Sequence, residues 1–96
     1  MAIKILITRK FQHASVKDIS KLLIMARKIA MEHHGYISSE TLRSVSDPNG
    51  VSVLSMWQTE NDWENYKNSA ERQENERRFS EVLASPTEYK VFTLGI

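Results

Sequence analysis

The chain has 96 residues, which is enough for one domain with one hydrophobic core. Its 13 basic and 12 acidic side chains give a formal charge of +1, so nothing favours nucleic acid or an anionic membrane as a partner. Cysteine is absent, which excludes disulfides, thiol catalysis and thiolate metal ligands. The apolar run at residues 3–7 is shorter than a signal-peptide core or a membrane span. We therefore expect a soluble, cytoplasmic protein.

The first half of the chain predicts a strand, a helix and two further strands. Residues 2–9 alternate β-branched apolar side chains with other residues, which is typical of a strand. Residues 15–33 carry apolar side chains at three- and four-residue spacing, which predicts an amphipathic helix. We expect Ser15 to cap the start of this helix and Gly35 to end it. Strands at 36–45 and 51–57 follow, joined by the turn sequence Asp-Pro-Asn-Gly.

The second half predicts an interrupted helix and a last strand. Thr59 is followed three residues later by an aspartate, so a helix starts near residue 60, with Trp63 and Tyr66 on its apolar side. Charged and amide side chains then replace the apolar stripe until Phe79. This pattern predicts a break near residues 68–69, where Ser69 caps a second segment of about 70–84. The charged run from 71 to 78 is typical of an exposed helix surface, and residues 88–94 predict a strand.

The resulting order, β-α-β-β-α-β, predicts an α+β, ferredoxin-like fold in a single domain of residues 1–96. Its four-stranded antiparallel sheet should carry both helices on one face. The other face would still expose apolar side chains, because alternation along a strand sends successive residues to opposite sides. We therefore expect a homodimer in which two sheets face each other and which provides a pocket for a small molecule. The apolar side chains expected on the open face are Leu6, Leu54, Met56, Phe92 and Leu94.

Several segments resemble a known family. They are Gly35-Tyr36 at the entry to the second strand, the sequence Ser-Ser-Glu-Thr-Leu at 38–42, the strand ending in Trp57, and the sequence Asn-Asp-Trp-Glu-Asn-Tyr at 61–66. On these segments nearly the whole chain resembles antibiotic biosynthesis monooxygenase (ABM)-type domains of the dimeric α+β-barrel superfamily. The resemblance implies a ferredoxin-like dimer. It leaves the activity open, because the family includes cofactor-free oxygenases acting on polycyclic phenols and quinols, haem-degrading enzymes and isomerases.

The haem-degrading branch of this family uses an asparagine, a tryptophan and an iron-ligating histidine. The matching positions here are Thr8, Tyr66 and Glu76, so all three depart from the pattern. A glutamate does not replace the neutral imidazole usually offered to haem iron. A slip of the alignment would move Trp63 into the tryptophan position, but no histidine follows His34. The resemblance therefore disfavours haem binding or haem degradation.

The oxygenase branch requires fewer protein groups, since a phenolate or enolate can itself supply the electron to O₂. The protein then provides an apolar cavity, an aromatic wall and donors for the anion, with no cofactor and no metal. As catalytic candidates we name Tyr66 together with His33 or His34, because histidine is the side chain that most often acts as a general base. The adjacent histidines point about 100° apart on a helix and do not have metal-ligand spacing. The candidates for substrate binding are Trp63, Thr8, Arg9 and Phe79.

Each of these side chains also has a purely structural interpretation. Trp63 and Tyr66 are typical of ordinary core aromatics, and His33 of a half-buried residue at a helix end. The basic pairs Arg9-Lys10 and Arg77-Arg78 are typical of solvated surface. The leading hypothesis is a cofactor-free monooxygenase that acts on an aromatic or quinol-like molecule, and the alternative is a non-catalytic binding or structural dimer. A cavity behind Trp63 and Tyr66 with a polar group facing it would favour the oxygenase.

Overall fold

The computed structural model describes residues 1–12 and 16–94, with the side chain of residue 16 excepted. The predicted bounds are close to those observed, although the predicted Ser15 cap lies outside the described residues. The last helix ends at residue 80 rather than 84, because the chain turns there and the residue 84 amide bonds to the carbonyl of residue 10 at 2.8 Å. The elements are β1 (Ile3–Lys10), α1 (Val16–Met31), β2 (Tyr36–Arg43), β3 (Gly50–Trp57), α2 (Glu60–Lys67), α3 (Ala70–Ser80) and β4 (Glu88–Thr93).

The four strands form one antiparallel sheet in the order β2-β3-β1-β4, so the predicted ferredoxin-like α+β fold is confirmed. Strand β1 lies at the centre, and its side chains alternate strictly between the two faces. Ile3, Ile5, Ile7 and Arg9 are all at most 5% exposed beneath the helices. The residues between them are only half buried, because they lie on the opposite face.

Local sequence signals set the ends of the helices. Gly35 adopts φ +89°, and a Cβ there would collide with the side chain of Asp62, so only glycine fits this turn after α1. Thr59 and Ser69 cap α2 and α3, each accepting a hydrogen bond from a backbone amide three residues later. The predicted break between the two helical segments is therefore confirmed, and it turns α3 back across β1.

The sheet face away from the helices is open in this single chain. The molecule is only 19 Å along its shortest axis, which corresponds to one layer of strands and one of helices. Phe92 and Leu94 on this face are 47% and 44% exposed. The homodimer that would cover this face stays a prediction. None of the helices in the described part of the chain has the length and hydrophobicity needed to cross a bilayer.

Candidate active-site cavity

A cavity lies between α1 and the strands β1, β2 and β3. About 420 Å³ of empty space is present when its open mouth is included, but only about 30 Å³ is open to the centre of a water molecule. Small side chains create this space. Its lining residues are Ile7, Arg9, Leu23, Ala26, Arg27, Ala30, Ser39, Thr41, Val53, Ser55, Trp57 and Tyr66.

Arg9 is the charged group on the inner side of this cavity. Its side chain is 3% exposed, because Arg9 continues the inward face of the β1 isoleucines. The guanidinium is ion-paired with Glu76 of α3 and lies 4.0 Å above the centre of the Phe79 ring. Its Nε has no hydrogen-bond partner among the described residues. A cation held this firmly by other groups needs little rearrangement to meet an anion.

Arg72 forms the second half of a buried charge network. Its guanidinium lies 3.3 Å from Glu76 and donates a 2.7 Å hydrogen bond to the Tyr89 hydroxyl. Burial opposes the charge of Arg72, but the attraction of Glu76 and Tyr89 offsets this and raises its pKa. Two guanidinium groups therefore share one carboxylate, and the network keeps an excess positive charge behind the cavity.

Tyr66 forms an aromatic wall of the cavity. Its ring stacks on Trp57 with ring centres 4.9 Å apart, and its hydroxyl donates a long 3.4 Å hydrogen bond to the carbonyl of Ala26. Burial raises the pKa of the Tyr66 hydroxyl, although the charges of Arg72 and Arg9 oppose that rise. The hydroxyl is therefore protonated near neutral pH and is suited to donate a hydrogen bond rather than to act as a base.

Trp57 and Ser55 form the floor of the cavity on β3. Trp57 is fully buried, and its indole N–H donates a 3.2 Å hydrogen bond to the Ser55 hydroxyl. The indole is thereby held in one orientation against Tyr66. Both residues point inward because they alternate with half-buried residues of the open face.

His33 and His34 are not among the side chains that line the cavity. His33 lies just after α1, where its Nδ1–H donates a 2.9 Å hydrogen bond to the carbonyl of Ile29. Its ring meets the Tyr66 ring edge-on at 5.4 Å, so it supports this residue from behind. His34 is exposed. The catalytic role of the two residues therefore stays a prediction, and of the two His33 touches a residue that lines the cavity.

Three predicted substrate-binding residues also lie elsewhere. Thr8 is on the open face, where its hydroxyl lies 3.1 Å from that of Ser52, so it does not share a site with Arg9. Trp63 is buried behind Trp57, with ring centres 6.2 Å apart. Phe79 is fully buried beneath Arg9. Of the predicted residues, the structure therefore brings together Tyr66 and Arg9 at the cavity, with Trp63 and Phe79 supporting them.

The predicted solvation of two charged segments is partly wrong. Lys10, Arg77 and Arg78 are exposed as expected, and the predicted Glu74–Arg78 pair is present at 3.9 Å. Arg9, Arg72 and Asn75, in contrast, are all at most 6% exposed. On α3 the buried positions are 72, 75 and 79, which follow helical spacing but carry polar side chains at two of three places. The sequence signal for the burial of Arg9 is its spacing, since it continues the every-second-residue pattern of the inward-facing isoleucines of β1.

The positions that the haem-degrading branch uses do not form one site. Thr8 lies on the face opposite to Tyr66, and Glu76 is engaged by Arg9 and Arg72. These donors do not fit axial ligation of haem iron. Within residues 1–12 and 16–94 no three histidine, aspartate or glutamate side chains gather in a way that could hold a metal ion.

Comparison with solved structures gives the same fold in distant relatives. A conserved protein from Methanosarcina mazei Go1 is 18% identical, with a TM-score of 0.87 over 96% of this chain and 91% of that one. Rv0793 from Mycobacterium tuberculosis is 10% identical, with a TM-score of 0.87 over 100% and 97% of the two chains. SnoaB from Streptomyces nogalater, described as a cofactor-independent oxygenase, is 9% identical, with a TM-score of 0.88 over 99% and 94%. At such identities the likeness shows the fold alone.

A search among curated proteins gives no significant match. The model of the antibiotic biosynthesis monooxygenase family, in contrast, matches residues 8–78, which include β2, β3, α2, most of α3 and the cavity residue Arg9. The chain therefore belongs to the antibiotic biosynthesis monooxygenase family.

Proposed function

We propose that this protein is a small oxygenase that binds a phenol- or quinol-like aromatic molecule in the cavity and oxidises it with O₂ without a cofactor. The observation that carries the proposal is the meeting of an apolar cavity with the buried guanidinium of Arg9. Family membership and the similarity to SnoaB support the reaction type. A structural dimer would fill the same space with large aliphatic side chains instead.

For this reaction the protein must bind and stabilise the ionised form of the substrate. A phenolate transfers an electron to O₂, and oxidation of the phenol to a quinone, in which a ring C–H becomes a carbonyl, consumes one O₂ and releases one water. Arg9 would stabilise the oxyanion, since it is buried, charged and held in place by Glu76 and Phe79. Tyr66 would donate a second hydrogen bond when its long bond to Ala26 is exchanged for the substrate.

The contacts of His33 fit a positioning role better than the role of a base. His33 contacts the Tyr66 ring, but its Nδ1–H is used by the carbonyl of Ile29. We therefore assign His33 a positioning role, in which it holds Tyr66 against Trp57. The phenolic proton would leave to the solvent, and the positive charge of Arg9 favours this ionisation because it lowers the pKa of the bound phenol.

Binding of a ring requires the cavity to widen. Ligand pockets commonly measure about 300–1,000 Å³, whereas the comparable volume of this cavity is only about 30 Å³. Arg27 of α1 spans that mouth with a 3.3 Å hydrogen bond to Thr41 of β2. Both residues are exposed, so this bridge can open without loss of core packing.

The proposal also includes a homodimer formed through the open sheet face. The apolar side chains there have no cover from their own chain, and a second copy supplies a matching surface through a twofold axis. In such a dimer the strands that carry the cavity floor would be covered from behind, which would keep bulk water away from the reaction.

The proposed function is tested by oxygen uptake with a panel of hydroquinones and polycyclic phenols, with and without a chelator. We expect saturable uptake that survives the chelator. Tyr66→Phe should lower kcat without unfolding the protein, whereas Tyr36→Phe should not, because the Tyr36 hydroxyl bonds to Ser39 and does not line the cavity. Equal kcat values for wild type and Tyr66→Phe would return Tyr66 to a purely structural role. No uptake across the panel would favour the non-catalytic binding dimer.

A further inference from the structure

A second cation stands at the mouth of the cavity. Arg27 projects from α1 and is among the cavity-lining residues, yet its backbone position leaves it exposed. Among the described residues its hydrogen-bond partner is the Thr41 hydroxyl, at 3.3 Å. Within the described part of the chain Arg27 has no carboxylate partner. This differs from Arg77 of α3, which forms ion pairs with two glutamates.

No acidic side chain from residues 1–12 or 16–94 lines the cavity to balance this charge. The lining residues include two arginines and no aspartate or glutamate. The nearest carboxylate to the inner end is Glu76, and Arg9 and Arg72 already share it. Most of the other lining side chains are apolar, Leu23 and Val53 among them. The arrangement therefore offers a cation at the inner end, an apolar middle and a second cation at the entrance.

The two cations are suited to different groups of a ligand. The inner guanidinium is partly neutralised by Glu76, which fits a single oxygen acceptor such as a phenolate or a ring carbonyl. The outer guanidinium is exposed and bonds to the Thr41 hydroxyl, and its planar fork matches both oxygens of a carboxylate. A neutral ligand would leave Arg27 with only the weak hydroxyl contact that it has now.

We propose that the substrate is an aromatic acid, whose carboxylate binds Arg27 at the entrance while its ring enters the cavity. This inference rests on the proposed function and narrows its substrate class. Arg27 then determines specificity: it exchanges Thr41 for the carboxylate, and the same movement opens the mouth. A substrate without the acid group would break the Arg27–Thr41 hydrogen bond without forming a new ion pair with Arg27.

The test compares two probes of the same shape, 2-naphthoate and the neutral 2-naphthamide, by quenching of the buried indole fluorescence. Trp57 is a suitable reporter because it lines the cavity. We expect naphthoate to bind about tenfold more tightly than naphthamide, as a charge-assisted hydrogen-bond pair allows. Arg27→Met keeps the aliphatic stem but should make the two affinities equal, mostly by weakening naphthoate. Arg27→Lys should restore part of the preference.

Lys28→Met is the matched control, since it removes an exposed cation one residue along α1 that does not line this cavity. It should keep the tenfold preference. Equal affinities in the wild type, or a preference that survives Arg27→Met, would overturn the inference while leaving the oxygenase open. Failure of both probes to bind would overturn the inference and remove the cavity as the basis of the proposed function. Tight naphthoate binding without oxygen uptake on any aromatic acid would contradict the oxygenase alone.

Discussion

Glu76 is the single carboxylate that holds two buried arginines, so its removal should destabilise the fold strongly. The side chains of Arg9 and Arg72 are 3% and 7% exposed, and that of Glu76 is 18% exposed. Glu76→Gln keeps the shape but leaves both guanidinium groups without a counter-charge. Breaking a buried ion pair by removing one partner costs about 3–5 kcal/mol. Because Glu76 retains some contact with water, we expect about 3 kcal/mol.

This loss is large but leaves a folded protein, since domains of this size have unfolding free energies of about 5–15 kcal/mol. The melting temperature should fall by about 12–24 °C, at about 4–8 °C for each kcal/mol. Urea unfolding followed by the fluorescence of Trp57 and Trp63 measures the change, because both indoles are at most 1% exposed when folded. Protein concentration must be held constant, since a dimer makes the transition concentration-dependent.

Glu74→Gln is the matched control on the same helix. Glu74 also contacts two arginines, Arg77 and Arg78, but all three side chains are more than half exposed. Solvent screens such pairs, so we expect no measurable change in the urea midpoint. If Glu76→Gln were as stable as the wild type, or lost no more than Glu74→Gln, the buried network would not be a stabilising feature and its role behind the cavity would need another explanation.

Three further predictions concern the dimer, the cavity floor and the wall. Phe92→Glu places a charge on the open sheet face and should yield monomers in size-exclusion chromatography with light scattering. Ile24→Glu, on the exposed side of α1, should leave the dimer intact. A folded Phe92→Glu dimer would refute sheet-to-sheet assembly. Ser55→Ala removes the acceptor of the buried Trp57 N–H and should cost about 1–3 kcal/mol in urea unfolding; an unchanged midpoint would mean that the indole finds another acceptor. Burial raises the pKa of Tyr66 above 10.0, so the stability it contributes is complete below pH 10 and is lost as the pH rises towards the folded pKa. Urea midpoints should therefore fall less steeply above about pH 10 in Tyr66→Phe than in the wild type, and parallel curves would contradict a raised pKa.

The order of elements was predictable because it depends on neighbours in the sequence. The local signals are alternation along β1, helical spacing along α1 and the capping residues Thr59 and Ser69. The corresponding elements begin at or next to the residues that these signals predict. The β-α-β-β-α-β order then leaves few sheet topologies, since short antiparallel connections and packing of both helices on one face exclude the others. The sequence also determined that the opposite sheet face would carry apolar side chains.

The site depended on contacts between residues far apart in the chain. Arg9 is placed inside by its phase with the isoleucines, but its carboxylate partner lies on α3, whose charged sequence is typical of an exposed surface. The cavity exists because small residues of α1 lie opposite Ser55 of β3, between the helix layer and the sheet. No local sequence pattern predicts such a space. Thr8 and Arg9 are neighbours in sequence but lie on opposite faces of the sheet, because successive side chains of a strand alternate. Both were predicted as substrate donors from their residue types, without regard to this alternation. Local sequence therefore determined the elements and their faces. Only the tertiary structure decided which charged side chains form ion pairs and where a cavity remains, because both depend on packing between segments that are far apart in the sequence.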